Sequence, residues 1–204
     1  MQILYYFYLE LSARKTAKEL DINYRLVHRK FMQFRKSLAN YCQNEEGILK
    51  GELELDESYF GGKRKGKRGR GANNKAIVFG ILERKGKVRT VIVQDVSAET
   101  LMNEIKNKTL KGSVFYTDTW KSYNSLEQYG KHNKINHQKE FAKERNHING
   151  IEGFWSFAKE RFHKYHGINK KNYPFYLKEM EFRFNHRNEH LFSLLFKICI
   201  KEAV

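Results

Sequence analysis

The hydrophobic pattern of the chain changes its period near residue 50, and this change constrains the fold more than any other sequence feature. The segment GELELDESYF, from Gly51 to Phe60, alternates in character, which predicts a β-strand. Leu53 and Leu55 share one face, for which Glu57 is a further candidate, and the other face carries the acids Glu52, Glu54 and Asp56. Two further strand patterns follow, KAIVFGILER and KVRTVIVQDV, joined by a short turn around 85–87. These three patterns therefore predict three consecutive strands that are connected as hairpins.

The rest of the chain alternates predicted helices with short strands. Ser97 is a candidate N-cap for the helix SAETLMNEIKNK, and SVFYTD predicts a buried strand that ends in an acid. A short helix is predicted around 122–129, a short strand around 134–137, a long helix over about 147–163 and a last helix from Pro174 to beyond residue 186. This order predicts an α/β fold, in which a sheet is flanked by helices.

The residues before the strands have a helical period instead. Ala13 and Ala17 lie at helical spacing, 21–23 predicts a turn, and Val27 lies ten residues after Ala17, which is the spacing of a helix-turn-helix. The second helix would present basic side chains to a DNA major groove. These are Arg25, His28, Arg29 and Lys30. An ordinary basic helical hairpin explains the same spacing. The patterns predict a helical DNA-binding segment over 1–40, a linker over 41–50 and the α/β domain over 51–204.

Charge and composition exclude several classes of protein. Lys and Arg number 39 and Asp and Glu 23, so the formal net charge is 39 − 23 = +16, which favours a polyanionic partner such as nucleic acid. An apolar content of 40% excludes wholesale disorder. No apolar run is long enough to span a membrane, and the two cysteines provide no disulfide framework. The sequence predicts a soluble cytoplasmic protein.

One segment concentrates the positive charge. Seven of the thirteen residues from Lys63 to Lys75 are Lys or Arg, with glycines among them, so the segment cannot bury a core. We expect a loop that contacts DNA phosphates, although a solvated hairpin tip would have the same composition. Its basic residues are Lys63, Arg64, Lys65, Lys67, Arg68, Arg70 and Lys75.

The predicted long helix has an apolar and a polar stripe. The apolar stripe consists of Ile151, Phe154, Trp155, Ala158 and Phe162, and the polar stripe of Asn149, Glu152, Ser156 and Lys159. The position of Trp155 favours a core role over stacking on a DNA base. Glu152 and Lys159 are two turns apart and therefore point the same way.

Three acidic residues are candidates for catalysis. Asp56 lies in the first strand, Asp118 ends the fourth, and Glu152 lies in the first turns of the long helix. Each alone has an ordinary explanation, such as a helix cap or a dipole partner. If the polar stripe packs beside the two strand ends, however, three carboxylates converge, and divalent cations would relieve their repulsion. Such oxygen ligands suit Mg²⁺ or Mn²⁺, and His147 leaves zinc as a lesser alternative.

Three blocks of sequence resemble a known family. LDESYFGGKRKGKRGRG, FYTDTWKSY and HINGIEGFWSFAKERFHKYHGI are similar to the motif blocks of prokaryotic insertion-sequence DDE transposases, specifically the group that has a zinc ribbon before the catalytic domain and is related to eukaryotic Merlin elements. The resemblance covers roughly residues 50–190. It implies a ribonuclease-H-like mixed sheet flanked by helices.

The resemblance also implies roles for individual residues. Asp56 resembles the first catalytic acid of the family. Asp118 resembles the second and follows after 61 intervening residues, and Glu152 resembles the third and follows after 33 more. Lys159 matches the family's lysine. Some relatives have asparagine as the third residue, so Asn149 is an alternative to Glu152, which we prefer because of its charge and its spacing from Lys159.

The implied reaction is transposition. The three acids would hold two Mg²⁺ or Mn²⁺ ions, cut double-stranded DNA at the terminal inverted repeats of the element and transfer the 3′ end into target DNA. Lys159 would contact a phosphate near the scissile bond. The resemblance further implies a homodimer or higher assembly on DNA, no membrane partner, and a location at the prokaryotic nucleoid.

One departure from the family keeps two rival functions open. The Cys-x-x-Cys pair of the zinc ribbon is absent, which we interpret as a truncated copy or a start that lies upstream. The rivals are a ribonuclease-H-like nuclease that performs no strand transfer, and a truncated DNA-binding repressor of transposition that has no catalysis.

Overall fold

The computed structural model describes residues 1–61, 75–135, 147–165 and 167–200. Contacts between residues divide the chain into two compact units. The helical unit contains residues 1–46 and the residues from 160 onward, and the sheet unit contains residues 47–159. The proposed division into 1–40, 41–50 and 51–204 stays a prediction, although regular helix continues to Asn44, into the stretch predicted as a linker.

The helical unit begins with three helices, α1 (Gln2–Tyr8), α2 (Ala13–Glu19) and α3 (Tyr24–Asn44). The predicted turn over 21–23 precedes α3, and the Asn23 side chain caps that helix by accepting a hydrogen bond of 2.7 Å from the backbone N–H of Arg25. Asp21 has a φ of +51°, a conformation that favours glycine but that aspartate tolerates. The α2–turn–α3 arrangement is therefore formed without the usual glycine.

Two helices complete the helical unit near the C-terminus, α6 (Tyr173–Asn185) and α7 (Leu191–Ile200). The sequence predicted a single helix that continued past His186, and this was wrong because α6 ends there and the chain turns before α7. Phe7, Phe31, Phe34 and Leu195 belong to the apolar core that these helices enclose. A buried ion pair lies among them, since Arg35 Nε is 2.7 Å from Glu179 Oε2.

The sheet unit contains five strands, β1 (Glu52–Phe60), β2 (Ala76–Glu83), β3 (Val88–Val93), β4 (Val114–Asp118) and β5 (Lys131–Ile135). Their order in the sheet is β3-β2-β1-β4-β5. The first three strands pair antiparallel, and β4 is parallel to both β1 and β5. Three antiparallel strands followed by two parallel ones at the side of β1 form the ribonuclease-H-like mixed sheet, which confirms the predicted fold.

Helices cover both faces of this sheet. Leu53 and Leu55 of β1 share one apolar core with Leu101 and Ile105 of α4 (Ala98–Lys108) and with a 3₁₀ helix over Lys121–Gln128. Because side chains alternate along a strand, Glu52, Glu54 and Asp56 of β1 point to the opposite face. That face meets α5 (Asn149–Lys164), whose last residues belong to the helical unit. The short strand β5 begins before the predicted 134–137, because its pairing with β4 starts at Lys131.

The contact of α5 with the sheet depends on a glycine in β2. A Cβ atom at Gly80 would lie 2.6 Å from the ring of Trp155 and 2.9 Å from the Ile151 side chain. Gly80→Ala is therefore expected to lower the free energy of unfolding by about 1–3 kcal/mol, the usual cost of overpacking. Gly153→Ala is the matched control, because nothing lies within 4 Å of that position, and alanine there should raise stability by up to about 1 kcal/mol. Denaturant unfolding measures both, and equal effects would contradict the packing described.

Among the described residues, no helix has both the length and the apolar character that crossing a membrane requires.

Candidate active site

The sheet unit brings the three candidate acids to one region. Asp56 lies in β1 and is half-buried, and Asp118 is the last residue of β4. The two strands are parallel and pair Glu54 with Tyr116, so the same register continued by two residues brings Asp56 beside Asp118. Glu152 is exposed in the first turn of α5, the helix on this face of the sheet.

The electrostatics of Asp56 reflect the other two acids. Burial raises the pKa of Asp56 to about 6, and the negative charges of Asp118 and Glu152 act in the same direction. Hydrogen bonds to the carboxylate oppose the rise, one of them a bond of 3.0 Å that the Trp155 indole N–H donates. Trp155 is buried, which confirms its predicted core role. It also orients the first candidate acid.

Asp118 is held by its own loop. Its carboxylate accepts a hydrogen bond of 2.9 Å from the backbone N–H of Trp120. The Trp120 indole in turn donates to Ser122, whose hydroxyl donates to the carbonyl of Val96. The FYTDTWKS segment thus turns directly after β4 in a way that fixes the direction of the acid.

A fourth acid, Glu57, lies close to the site, and sequence reasoning did not assign it a role. Burial raises the pKa of Glu57 to about 7. The hydroxyl of Tyr123 opposes this rise, and the negative charges of Asp56 and Asp118 add to it. Tyr123 is itself buried, and its pKa is raised well above the usual value. The signal in the sequence was the alternation of β1, which places Glu57 on the apolar face with Leu55.

The beginning of α5 is fixed by a buried carboxylate. Glu54, only 1% exposed, accepts a hydrogen bond of 2.9 Å from the backbone N–H of Ile151 and another of 2.9 Å from Arg84 Nε. The Arg84 guanidinium also donates to the carbonyl of His147 and stacks on the ring of Tyr116, 3.6 Å from its centroid. Because the first N–H groups of a helix have no partner within it, this carboxylate satisfies one of them and sets where α5 starts.

This anchor determines where Glu152 lies. Ile151, the residue whose N–H is held, directly precedes Glu152, and Glu54 lies two residues before Asp56 on the same face of β1. A side chain at Gly150 would meet the Glu54 carboxylate at 2.8 Å, so the close approach requires glycine there. The alternation of β1 predicts only that Glu54 lies on the polar face of the strand, and the contact with α5 was not predicted.

The three candidate acids carry side chains of the type that binds divalent cations. Within the described ranges, no three Asp, Glu, His or Cys side chains are close enough together to share a metal ion. Asp56, Asp118 and Glu152 nevertheless offer carboxylate oxygens, the ligands that Mg²⁺ and Mn²⁺ prefer. Burial raises the pKa of Asp56, and repulsion by the charges of Asp118 and Glu152 adds to the rise. A cation at this place would lower that repulsion. The donor set therefore fits such an ion.

The remaining predicted site residues lie in different places. Asn149 and Lys159 are exposed on α5, as the polar stripe predicts. On α3, Arg25 and Arg29 are exposed, and His28 and Lys30 are half-buried. Lys75 is exposed directly before β2. The other predicted phosphate contacts lie outside the described residues; these are Lys63, Arg64, Lys65, Lys67, Arg68 and Arg70.

The raised pKa values of the two neighbouring acids predict a pH dependence in the metal-free protein. Folding raises the pKa of Asp56 from 3.8 to about 6 and that of Glu57 from 4.5 to about 7. At a pH between the unfolded-state and folded-state pKa values of these acids, the folded state binds more protons than the unfolded state. The free energy of unfolding should therefore increase as the pH falls from about 7.5 towards 5. Denaturant unfolding with a chelator measures the slope. The double variant Asp56→Asn/Glu57→Gln should have a smaller increase, and an identical slope in both proteins would contradict the assignment.

Comparison with known proteins agrees with the geometry. The family described as the ISXO2-like transposase domain matches residues 48–185. The chain belongs to this family. It is thus an insertion-sequence transposase, a class of enzymes that transfer polynucleotide strands. This confirms the family resemblance predicted from the three sequence blocks.

Individual relatives of the transposase have similar descriptions. An uncharacterized transposase-like protein of Haemophilus influenzae is 45% identical over 102 residues, which cover 50% of this chain and 83% of that protein. An uncharacterized protein in the transposable element ISH50 of Halobacterium salinarum is 24% identical over 197 residues, covering 87% of this chain and 66% of that protein. Among solved structures, the catalytic domain of Mos1 mariner transposase is similar with a TM-score of 0.45 at 13% identity, covering 84% of this chain and 92% of that one.

Proposed function

We propose that this transposase cuts DNA at the ends of its element and joins the freed ends to target DNA, with Asp56, Asp118 and Glu152 as the catalytic acids. The observation that carries the proposal is the interaction of the three carboxylates: burial raises the pKa of Asp56, and the charges of Asp118 and Glu152 add to that rise. A half-buried carboxylate with a raised pKa beside other acids is typical of functional sites. The same interaction favours Glu152 over Asn149 as the third residue.

The three acids would hold Mg²⁺ or Mn²⁺. When bound, such ions supply an activated nucleophile and stabilise the charge that develops on the leaving oxygen. The residues of the chain have supporting roles: Trp155 orients Asp56, the Trp120 N–H orients Asp118, and the Glu54–Arg84 anchor sets the position of Glu152. Lys159, exposed two turns along α5, would contact a DNA phosphate.

The reaction consists of two substitutions at phosphorus. In the first, a water oxygen bonds to the phosphorus at the element end as the P–O3′ bond breaks, which leaves a 3′-hydroxyl and a 5′-phosphate. In the second, that 3′-hydroxyl bonds to a phosphorus of the target strand and displaces a target 3′-oxygen. The first consumes water and the second exchanges one phosphodiester for another, so no covalent bond to the protein is required.

Double-stranded DNA would bind through positive charge on both units. Arg25 and Arg29 project from α3, the second helix of the helix-turn-helix-like arrangement, and would contact bases and phosphates. The basic segment 63–75 would contribute further phosphate contacts. Cutting and joining two ends together requires at least two active sites, so we also propose a homodimer or higher assembly on DNA.

The test is an incubation with Mg²⁺ or Mn²⁺, labelled DNA that carries the inverted repeats of the element, and a target plasmid. We expect nicked ends and a labelled product joined to the plasmid. Cleavage that produces no joined product would indicate a nuclease instead. Binding to the repeats that leaves the DNA intact under every metal condition would indicate a repressor and overturn the catalytic proposal.

A further inference from the structure

The helical unit contains a pocket that none of the proposed chemistry uses. Its volume is about 470 Å³, within the range of small-molecule binding sites. Residues of α2, α3 and α6, the end of α5 and the residues between α5 and α6 line it. The lining includes cations and aromatic rings; those that the argument uses are Arg14, Tyr24, Arg35, Lys164 and Tyr176.

A buried guanidinium forms the inner wall of this pocket. Arg35 is only 2% exposed, and its Nε donates to Glu179 Oε2 at 2.7 Å. Glu179 is shared with a second buried guanidinium, that of Arg183, at 2.9 Å. In the described part of the chain, the two terminal nitrogens of Arg35 donate no hydrogen bond, whereas a guanidinium offers five N–H donors. Because a guanidinium forms strong hydrogen bonds with anions, this wall of the pocket favours an anionic acceptor.

The opening of the pocket adds charge and an aromatic surface. Arg14 and Lys164 are exposed, and the one ion pair of Lys164 within the described ranges is a long contact of 3.9 Å with the exposed Glu160. The ring of Tyr24 is 48% exposed and lies beside that of His28, with 5.8 Å between the ring centroids. Tyr176 is already covered, since the Arg35 guanidinium stacks on it 3.9 Å from the ring centroid. Tyr24 is therefore an exposed aromatic ring at the opening of the pocket.

We propose that this pocket binds one unpaired nucleotide of DNA, with its phosphate towards Arg35, Arg14 and Lys164 and its base on Tyr24. Inner guanidinium, outer cations and an open aromatic face together match a nucleoside phosphate, since phosphates pair with guanidinium groups and every base stacks on aromatic rings. A free nucleotide has the same chemistry. The choice of DNA rests on the proposed function, because unpaired nucleotides arise at DNA ends that are being cut and joined.

The experiment compares two DNAs in a metal-free buffer, using the full chain and fluorescence anisotropy. One DNA is a blunt duplex, and the other is the same duplex with a short single-stranded overhang. We expect the wild-type chain to bind the overhang DNA about tenfold more tightly, because stacking of one base contributes about 1–3 kcal/mol. Tyr24→Ala should remove most of this preference, and Tyr24→Phe should keep it. Circular dichroism verifies that each variant is folded.

A pair of adjacent cations provides the matched control. Arg14 and Lys15 are both exposed on α2, but only Arg14 lines the pocket. Arg14→Ala should lower the preference for the overhang DNA several-fold, whereas Lys15→Ala should weaken binding of both DNAs equally. A preference that is absent in the wild-type chain, or is unchanged in Tyr24→Ala and Arg14→Ala, would overturn the proposal.

Deoxyadenosine monophosphate serves as the second probe. If it binds in a Tyr24-dependent way while the overhang adds nothing, the ligand is a free nucleotide and the DNA proposal is wrong. These outcomes are distinct from a failure of the proposed function, because no metal or cleavage is involved. Lack of binding to any DNA would contradict the proposed function itself, and with it this proposal.

Discussion

Replacing Asp56 by asparagine is expected to lower the single-turnover rate of DNA cleavage by about 10³-fold. The substitution keeps the size of the side chain and an oxygen that can accept the Trp155 hydrogen bond, but it removes the charge that would hold the metal ion. Metal ions stabilise the transition state of phosphoryl substitution by several kcal/mol, and each 1.36 kcal/mol corresponds to a tenfold change in rate. Cleavage of labelled inverted-repeat DNA in Mg²⁺ measures the effect.

Asp95→Asn is the matched control for this prediction. Asp95 lies between β3 and α4, where it accepts hydrogen bonds from Ser97 and Thr100. Its loss should change the cleavage rate less than about twofold, because it has no place in the proposed site. DNA affinity in metal-free buffer should be similar for the wild-type chain and both variants. Cleavage by Asp56→Asn at a rate close to wild type would contradict the role of this acid.

Replacing Glu54 by alanine is expected to destabilise the protein by about 3 kcal/mol or more. The substitution removes the acceptor of the Ile151 N–H and the most buried of the acceptors of the half-buried Arg84 guanidinium, and removal of one partner from a buried charged pair typically has this cost. Below the unfolding temperature the folded fraction should also cleave DNA more slowly, because the start of α5 is no longer fixed beside Asp56. Denaturant unfolding and single-turnover cleavage measure the two effects.

Glu52→Ala is the matched control, because it removes a more exposed carboxylate that contacts the same guanidinium. Glu52 contacts the same Arg84 at 3.2 Å, but its side chain is 38% exposed, so its loss should cost at most about 1 kcal/mol. If the two variants were equally stable, the carboxylate of Glu54 would not anchor the helix.

The sequence predicted most of the sheet unit because its strands and helices have clear periods. The alternation of β1 identified the face that carries Asp56, and the stripes of α5 identified Trp155 as a core residue. Both assignments depend on local spacing alone. They assign Asp56 to a strand and Glu152 to a helix, and the family resemblance then predicted that this strand and this helix contribute to one site.

The parts that the sequence did not predict depend on contacts between distant residues. Glu54 meets Ile151 across 97 positions and Arg84 across 30, and no pattern within β1 distinguishes it from the other acids of the same face. The end of α6 at His186 was missed because the helical apolar pattern resumes in α7. The buried Arg35 was missed for a similar reason, since its partner Glu179 lies on α6.

The most direct test of the catalytic account is a change of ligand at Asp118. Asp118→Cys replaces a hard carboxylate by a softer thiolate, which disfavours Mg²⁺ more than Mn²⁺. If the Asp118 side chain holds the metal ion, the variant should cleave inverted-repeat DNA poorly in Mg²⁺ and recover a substantial part of its rate in Mn²⁺, whereas Asp118→Ala should stay inactive with both ions. Equal activity of Asp118→Cys in the two ions, or recovery of Asp118→Ala by Mn²⁺ to the same degree, would contradict the account.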